Sequence, residues 1–213
     1  MKNVIFRTIQ KSDYHMVADI ISDTWGYRKF CSEKTSHKMG LLYLASCLCN
    51  QTFNMVAVKN NDVVGIIMGN DIKNSKTSFS NRMFLTKNSI QMVLSSERRK
   101  IVKMFNGFDS IDKELLKESK KIFDGELSFF AVKEETRGTG VGGKLYEYLV
   151  KYFQNHGIKN FYLFTDTSCN FSFYEHKGVE RIGEKNIDFK PYDDRTMTFF
   201  LYGKNIEVIA DGK

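Results

Sequence analysis

The chain has 213 residues, 42% of them hydrophobic and 14% aromatic, with 32 Lys and Arg against 25 Asp and Glu and a formal charge of +7. This composition supports a sizeable core and excludes a disordered or fibrous chain. No apolar run reaches the length of a membrane span, so no membrane partner is expected. Cys31, Cys47, Cys49 and Cys169 form no Cys-x-x-Cys pair, and none is spaced with His15, His37, His156 or His176 as in a zinc site. Reduced thiols and no metal are expected. Met1 to Arg7 turns polar too early for a signal peptide, which makes the cytoplasm the expected location.

Val4 to Gln10 alternates as a first strand. Ser12-Asp13 starts a helix that runs to about Trp25, with Met16, Val17, Ile20 and Ile21 on one face. Glu33 to Asn50 suits a second helix, with Leu42, Ala45 and Cys49 at helical spacing. Phe53 to Val58 and Val63 to Met68 read as strands joined by the turn Asn60-Asn61-Asp62, which makes a hairpin.

Residues 71 to 124 break this rhythm. A helix is expected from Ser89 to Phe105, with Ile90, Leu94, Ile101 and Met104 on one side, and a second from Ile111 to Ile122. Without a proline or a low-complexity linker, the segment reads as a compact helical insertion in a single domain covering 1–213. It holds 12 Lys and Arg against 7 Asp and Glu. Such a surface suits a polyphosphate or an acidic partner, but a solvated helical face explains it as well. No nucleic-acid-binding motif accompanies the charge, so no nucleic acid partner is expected.

A strand follows at 126–132, then a glycine loop, then a helix to about His156 with Val141, Leu145, Tyr148, Leu149 and Tyr152 on one face. Gly157 supplies its stop. Phe161 to Thr165 is the next strand, and strand–helix–strand order implies a parallel pair. A short helix near Asn170 to Lys177 and two strands near 181–186 and 196–202, an antiparallel pair, complete the chain.

The glycine loop reads Arg137-Gly138-Thr139-Gly140-Val141-Gly142-Gly143. Four glycines allow close backbone approach, and the helix start behind them offers unpaired N–H groups and a positive end. With Arg137 they form an anion site suited to phosphate or pyrophosphate, unless the loop is only a tight turn. Ligands of such sheets bind beyond the C-terminal ends of parallel strands, the edge from which this loop leaves.

The segment Glu126 to Gly183 resembles the GNAT superfamily of acetyl-CoA-dependent N-acetyltransferases. Arg137-Gly138-Thr139-Gly140-Val141-Gly142 matches the family's [Arg or Gln]-x-x-Gly-x-[Gly or Ala] signature, and Phe173-Tyr174-Glu175-His176-Lys177-Gly178 looks like its Tyr-Glu-x-x-Gly segment. Val179 stands where the family usually has Phe. Thr167 stands where many members carry an Asn that contacts the pantetheine arm, and Asn170 is the candidate to replace it.

The resemblance implies an α/β fold: a mixed, mostly antiparallel sheet with one parallel pair and helices on both faces. It implies acetyl-CoA as cosubstrate and transfer to a primary amine of a small molecule or peptide by direct attack. The alternative is a GNAT-fold acyl-CoA-binding or regulatory protein without transferase activity. Homodimers are frequent in the family. Main-chain groups of Phe130, Ala131 and Val132 would pair with the pantetheine arm. Glu126 is placed as the general base of an amine whose pKa is about 10, or is simply a glutamate at a strand start. Tyr174 is placed as general acid to the leaving thiolate, or is a core aromatic. Cys169 offers a nucleophilic route with His176 as the only nearby base, although a buried inert thiol is the simpler reading.

Overall fold

The computed structural model describes residues 3–29, 31–97, 110–188 and 196–207. One seven-stranded sheet carries the fold, in the order β1-β2-β3-β4-β5-β7-β6. The strands are β1 (Val4–Arg7), β2 (Phe53–Lys59), β3 (Asp62–Asp71), β4 (Gly125–Val132), β5 (Asn160–Asp166), β6 (Glu180–Asp188) and β7 (Thr196–Asn205). Only β4 and β5 pair in parallel; every other neighbour is antiparallel. The helices are α1 (Tyr14–Thr24), α2 (Glu33–Asn50), α3 (Phe79–Val93), α4 (110–119), α5 (Val141–Asn155) and α6 (Ser172–His176).

Both faces of the sheet are covered because its strands alternate. Val56, Ile66 and Met68 meet Val17, Ile21, Leu44 and Leu48 of α1 and α2 on one face. Ala57, Val64 and Ile67 meet Leu145, Leu149 and Phe153 of α5 on the other. Burying such side chains contributes roughly 1.5–3 kcal/mol each. Helices α1 and α2 touch at Gly40, where an added Cβ would lie 2.2 Å from the Ala18 carbonyl oxygen, so glycine is required there by contact. Arg7 grips the buried Asp13 with two bonds of 2.6 and 2.9 Å and ties β1 to the start of α1. Arginine and its hydrogen bonds hold that carboxyl below the usual carboxylate range.

Strand β1 is shorter than expected, ending at Arg7, because the Ile9 N–H turns to the Asn54 side chain. The insertion differs more. Its first helix, α3, starts at Phe79, ten residues before the expected Ser89. Ser78 caps it by accepting from the Asn81 N–H at 3.1 Å. The side grouped from sequence points outward where it is described, with Ile90 and Leu94 exposed, while Phe84, Asn88 and Met92 turn inward. The expected continuation from 98 to 105 lies outside the described residues. Helix α4 sets Ile111 and Leu115 against Tyr162, Phe199 and Leu201. No described helix is long and apolar enough to cross a membrane.

Candidate active site

The site begins where β4 and β5 part. They pair at Gly125↔Phe161 and Glu126↔Tyr162 and at no later residue, although β4 continues to Val132 and β5 to Asp166. A bulge helps to open them: Met68 faces Phe129 but Gly69 faces Leu127, which leaves Ser128 as the extra residue. An extra residue reverses the alternation and bends the strand. Leu127 therefore packs towards α5, while Phe129 and Ala131 pack towards α1 and α2. Nothing in the period of the sequence announced this bulge.

A cleft of about 1750 Å³ runs through the opening. At one end it is lined by Trp25, Tyr27, Tyr43, Leu85 and Asp112, at the other by Arg137, Gly138, Gly140, Gly142, Gly143 and Asn170. Glu126, Phe130, Ala131, Val132 and Tyr174 line it between. Of the catalytic and cofactor-binding residues expected from sequence, Thr139 and Val141 are the two not on its wall, and His176, weighed as a base for Cys169, is not on it either. The Thr139 hydroxyl bonds the Thr136 carbonyl at 2.7 Å, and the Val141 side chain is buried in the α5 core.

The glycine loop has the geometry of an anion cradle. Gly138 and Gly140 take φ of +75° and +89°, a region costly for residues with a Cβ. That turn sets the start of α5 behind β4. Among the described residues, no protein group accepts from the N–H of Gly140, Val141, Gly142 or Gly143; the first bond of the helix is Lys144 N–H to the Gly140 carbonyl. Four unpaired donors at a positive helix end favour an anion. Lys177 adds a cation that the sequence reading missed, its Nζ 3.8 Å from where a Cβ on Gly143 would sit. Its distance from the loop in sequence hid it. A Cβ at Gly142 would meet Phe130 and Val132 at 3.4 Å, an ordinary contact, so packing of α5 on β4 does not by itself demand glycine there.

Glu126 lies on the α1–α2 side of the sheet, among Tyr43, Cys47, Asn70 and Tyr162. Burial raises its pKa, and Asn70 and Tyr162 oppose that rise as donors near the carboxylate. Among the described residues no Lys, Arg or His forms an ion pair with Glu126, so its charge lacks local compensation.

Tyr174 sits on α6 against Phe130, Phe173 and Tyr202. Burial raises its phenol pKa. A free phenol, at about 10, lies close to a thiol, at about 8.5, but the raised Tyr174 phenol keeps its proton more strongly, and full transfer to a thiolate is uphill. It is better suited to donating a hydrogen bond. Glu175 has a separate task, bonding Tyr202 Oη at 2.7 Å and Arg181 at 2.7 Å to hold α6 on the last two strands. Val179 is buried in the same core.

Cys169 lines the cleft, but burial and nearby Asp166 push its thiol up to about 11, which disfavours the thiolate a nucleophile needs. His176 points its Nδ1 at the Ser172 carbonyl, 2.7 Å away. The Asn170 side-chain oxygen accepts from Ser172 Oγ at 2.8 Å, so in this state it serves the start of α6. Among the described residues no His, Cys, Asp and Glu cluster suits a metal ion.

Residues 107–178, about a third of the chain, match the model of the acetyltransferase (GNAT) family. A structure from Pyrococcus horikoshii superposes with a TM-score of 0.62 at 14% identity, covering 97% of this chain and 100% of that one. The chain has the GNAT fold. An N-acetyltransferase from Staphylococcus aureus aligns with a TM-score of 0.56 at 12% identity over 96% of this chain and 99% of its own. The NatC complex, in a structure described as bound to Gag peptide and CoA, gives 0.50 at 14% identity over 96% and 99%. No curated protein gives a significant match. The matched segment contains β4, the glycine loop, α5, β5 and α6, the elements that build the glycine-loop end of the cleft.

Proposed function

We propose that the chain moves an acetyl group from acetyl-CoA to a primary amine by direct attack in a ternary complex. The single observation that carries this reading is the splay of β4 from β5 between a half-buried carboxylate and an anion cradle. The parted strand edge suits an extended arm bearing amides. The free N–H groups of residues 140–143, with Arg137 and Lys177, suit its diphosphate. Acetyl-CoA would supply an activated acyl group on a thiol leaving group.

Glu126 accepts the proton that the amine must lose, directly or through water. Its lack of a cationic partner gives it a second use, as the counter-ion that draws in an ammonium group. Main-chain donors of Phe130 to Val132 orient the carbonyl and its developing negative charge. Tyr174 donates to the departing sulfur. Cys169 takes no covalent part. The CoA-bound NatC structure is described with a peptide, which supports keeping peptide N-termini beside small amines as acceptors. This reading places the chain in a compartment with acetyl-CoA, the cytoplasm being the expected one.

The test is release of free CoA from acetyl-CoA in the presence of alkylamines, aminoglycosides, amino acids and peptides, with the acetylated product weighed by mass spectrometry. Turnover with at least one primary amine supports the reading. A thermal shift with acetyl-CoA but no turnover across the panel would make the chain a GNAT-fold binding protein instead.

A further inference from the structure

Helix α3 has two working faces. Its inner face, with Phe84, Asn88 and Met92, packs towards α2. Its outer face is also apolar: Phe79 is 78% exposed, Met83 58%, Ile90 56%, and Leu94 just past the helix end 78%. At 3.6 residues per turn these four and Thr86 fall within about 80° of arc. Arg82 and Lys87 stand on its two shoulders, and α3 contains no Asp or Glu.

Two hydroxyls of the helix, Thr86 within the stripe and Ser89 at its margin, are bonded to the helix backbone. Thr86 Oγ1 bonds the Arg82 carbonyl at 3.0 Å, and Ser89 Oγ bonds the Leu85 carbonyl at 2.9 Å. The stripe thus presents methyl and methylene groups and no hydroxyl seeking a partner.

We propose that the outer face of α3 docks on an anionic lipid surface. Fifteen residues give a helix of roughly 22 Å, too short to span but long enough to lie in the headgroup region. The apolar stripe enters the acyl boundary, while Arg82 and Lys87 reach lipid phosphates from either side. Lys76 before the helix adds to the same charge. Charge selects this occupant over a second copy of the chain. Pairing two α3 helices through their stripes sets cationic shoulders together with no acid on α3 to meet them. The inference goes beyond the sequence expectation, which weighed spanning segments only, and is independent of the acetyl-transfer reading.

The test is co-sedimentation of the full chain with vesicles of phosphatidylcholine alone and with phosphatidylserine added. Binding is expected only with phosphatidylserine, weakened by salt. Met83→Glu with Leu94→Glu is expected to lower partitioning at least about tenfold, as is Arg82→Gln with Lys87→Gln. All four side chains lie on the outer half of α3, so an unchanged melting temperature verifies folding. Three results would overturn the proposal. These are no sedimentation with phosphatidylserine, sedimentation indifferent to both double variants, or a dimer by light scattering that Met83→Glu dissociates. The last assigns the stripe to a second copy.

Discussion

Glu126 and Tyr162 face each other in the last register before β4 and β5 separate. Asn70 is the partner of Glu126 on the other side, in β3. Three adjacent strands therefore place an amide, a carboxylate and a phenol in one row at the mouth of the splay. Both neighbours favour the charged form of a carboxylate whose pKa burial raises. Tyr162→Phe removes one of them, so the Glu126 pKa rises further and the acidic limb of kcat/KM moves to higher pH. Glu126→Gln lowers turnover by about 10²–10⁴ at low pH, where the amine is protonated, and by less at high pH, where free amine is abundant. A pH–rate profile of the three proteins checks this. A loss equal at every pH removes Glu126 from the role of base.

The same carboxylate has a consequence for stability. Its pKa is higher folded than unfolded, so the folded state binds more protons and stability falls as pH rises between the two values. Glu126→Gln is therefore expected to raise the melting temperature at pH 8, by about 2–4 °C for about 1 kcal/mol in a chain of this size. Below the unfolded carboxylate range, near pH 4 and lower, that pH-dependent advantage is absent. Thermal melts across pH measure this directly. A rise of the same size at pH 3 and pH 8 contradicts it.

The anion cradle is tested at Gly143 rather than Gly142. A Cβ at Gly142 would already touch Phe130 and Val132, so a larger side chain there changes packing as well as the loop. At Gly143 a side chain points to open space beside Lys177 Nζ. Gly143→Asp puts a carboxylate at the positive end of α5, which the helix tolerates and a diphosphate does not. Calorimetry is expected to show CoA affinity at least about tenfold weaker, with the melting temperature kept or raised. Unchanged affinity would move the carrier away from this loop.

Tyr174→Phe separates donation from packing. The ring stays against Phe130 and Tyr202, so acetyl-CoA affinity is expected to hold. Loss of the hydrogen bond to the leaving sulfur is expected to lower kcat by about 10². Single-turnover measurements check it. A fall in affinity with kcat unchanged would mark Tyr174 as a packing residue.

Much of this was legible in the sequence because the signals are local. Glu33 to Asn50, bounded by Ser32 and by the polar run after Cys49, was read with its observed limits. The glycine loop between an apolar strand and an amphipathic helix marked where the N–H groups of residues 140–143 are left unpaired, and strand–helix–strand order gave the parallel pair. Three features were not legible. The bulge at Ser128 depends on the register between two strands. Lys177 reaches Gly143 only through the fold. The start of α3 was misplaced because Ile90 and Leu94 repeat at helical spacing but face outward, and periodicity alone cannot say which apolar face is buried.

The most direct test of the central claim is acetyl-CoA-dependent acetylation of a primary amine, followed as CoA release and product mass for the wild type and Glu126→Gln together. The splayed β4–β5 site predicts turnover by the wild type, and for Glu126→Gln a deficit that narrows as pH rises. Absence of turnover with every amine tried, or turnover that Glu126→Gln leaves untouched across pH, would contradict it.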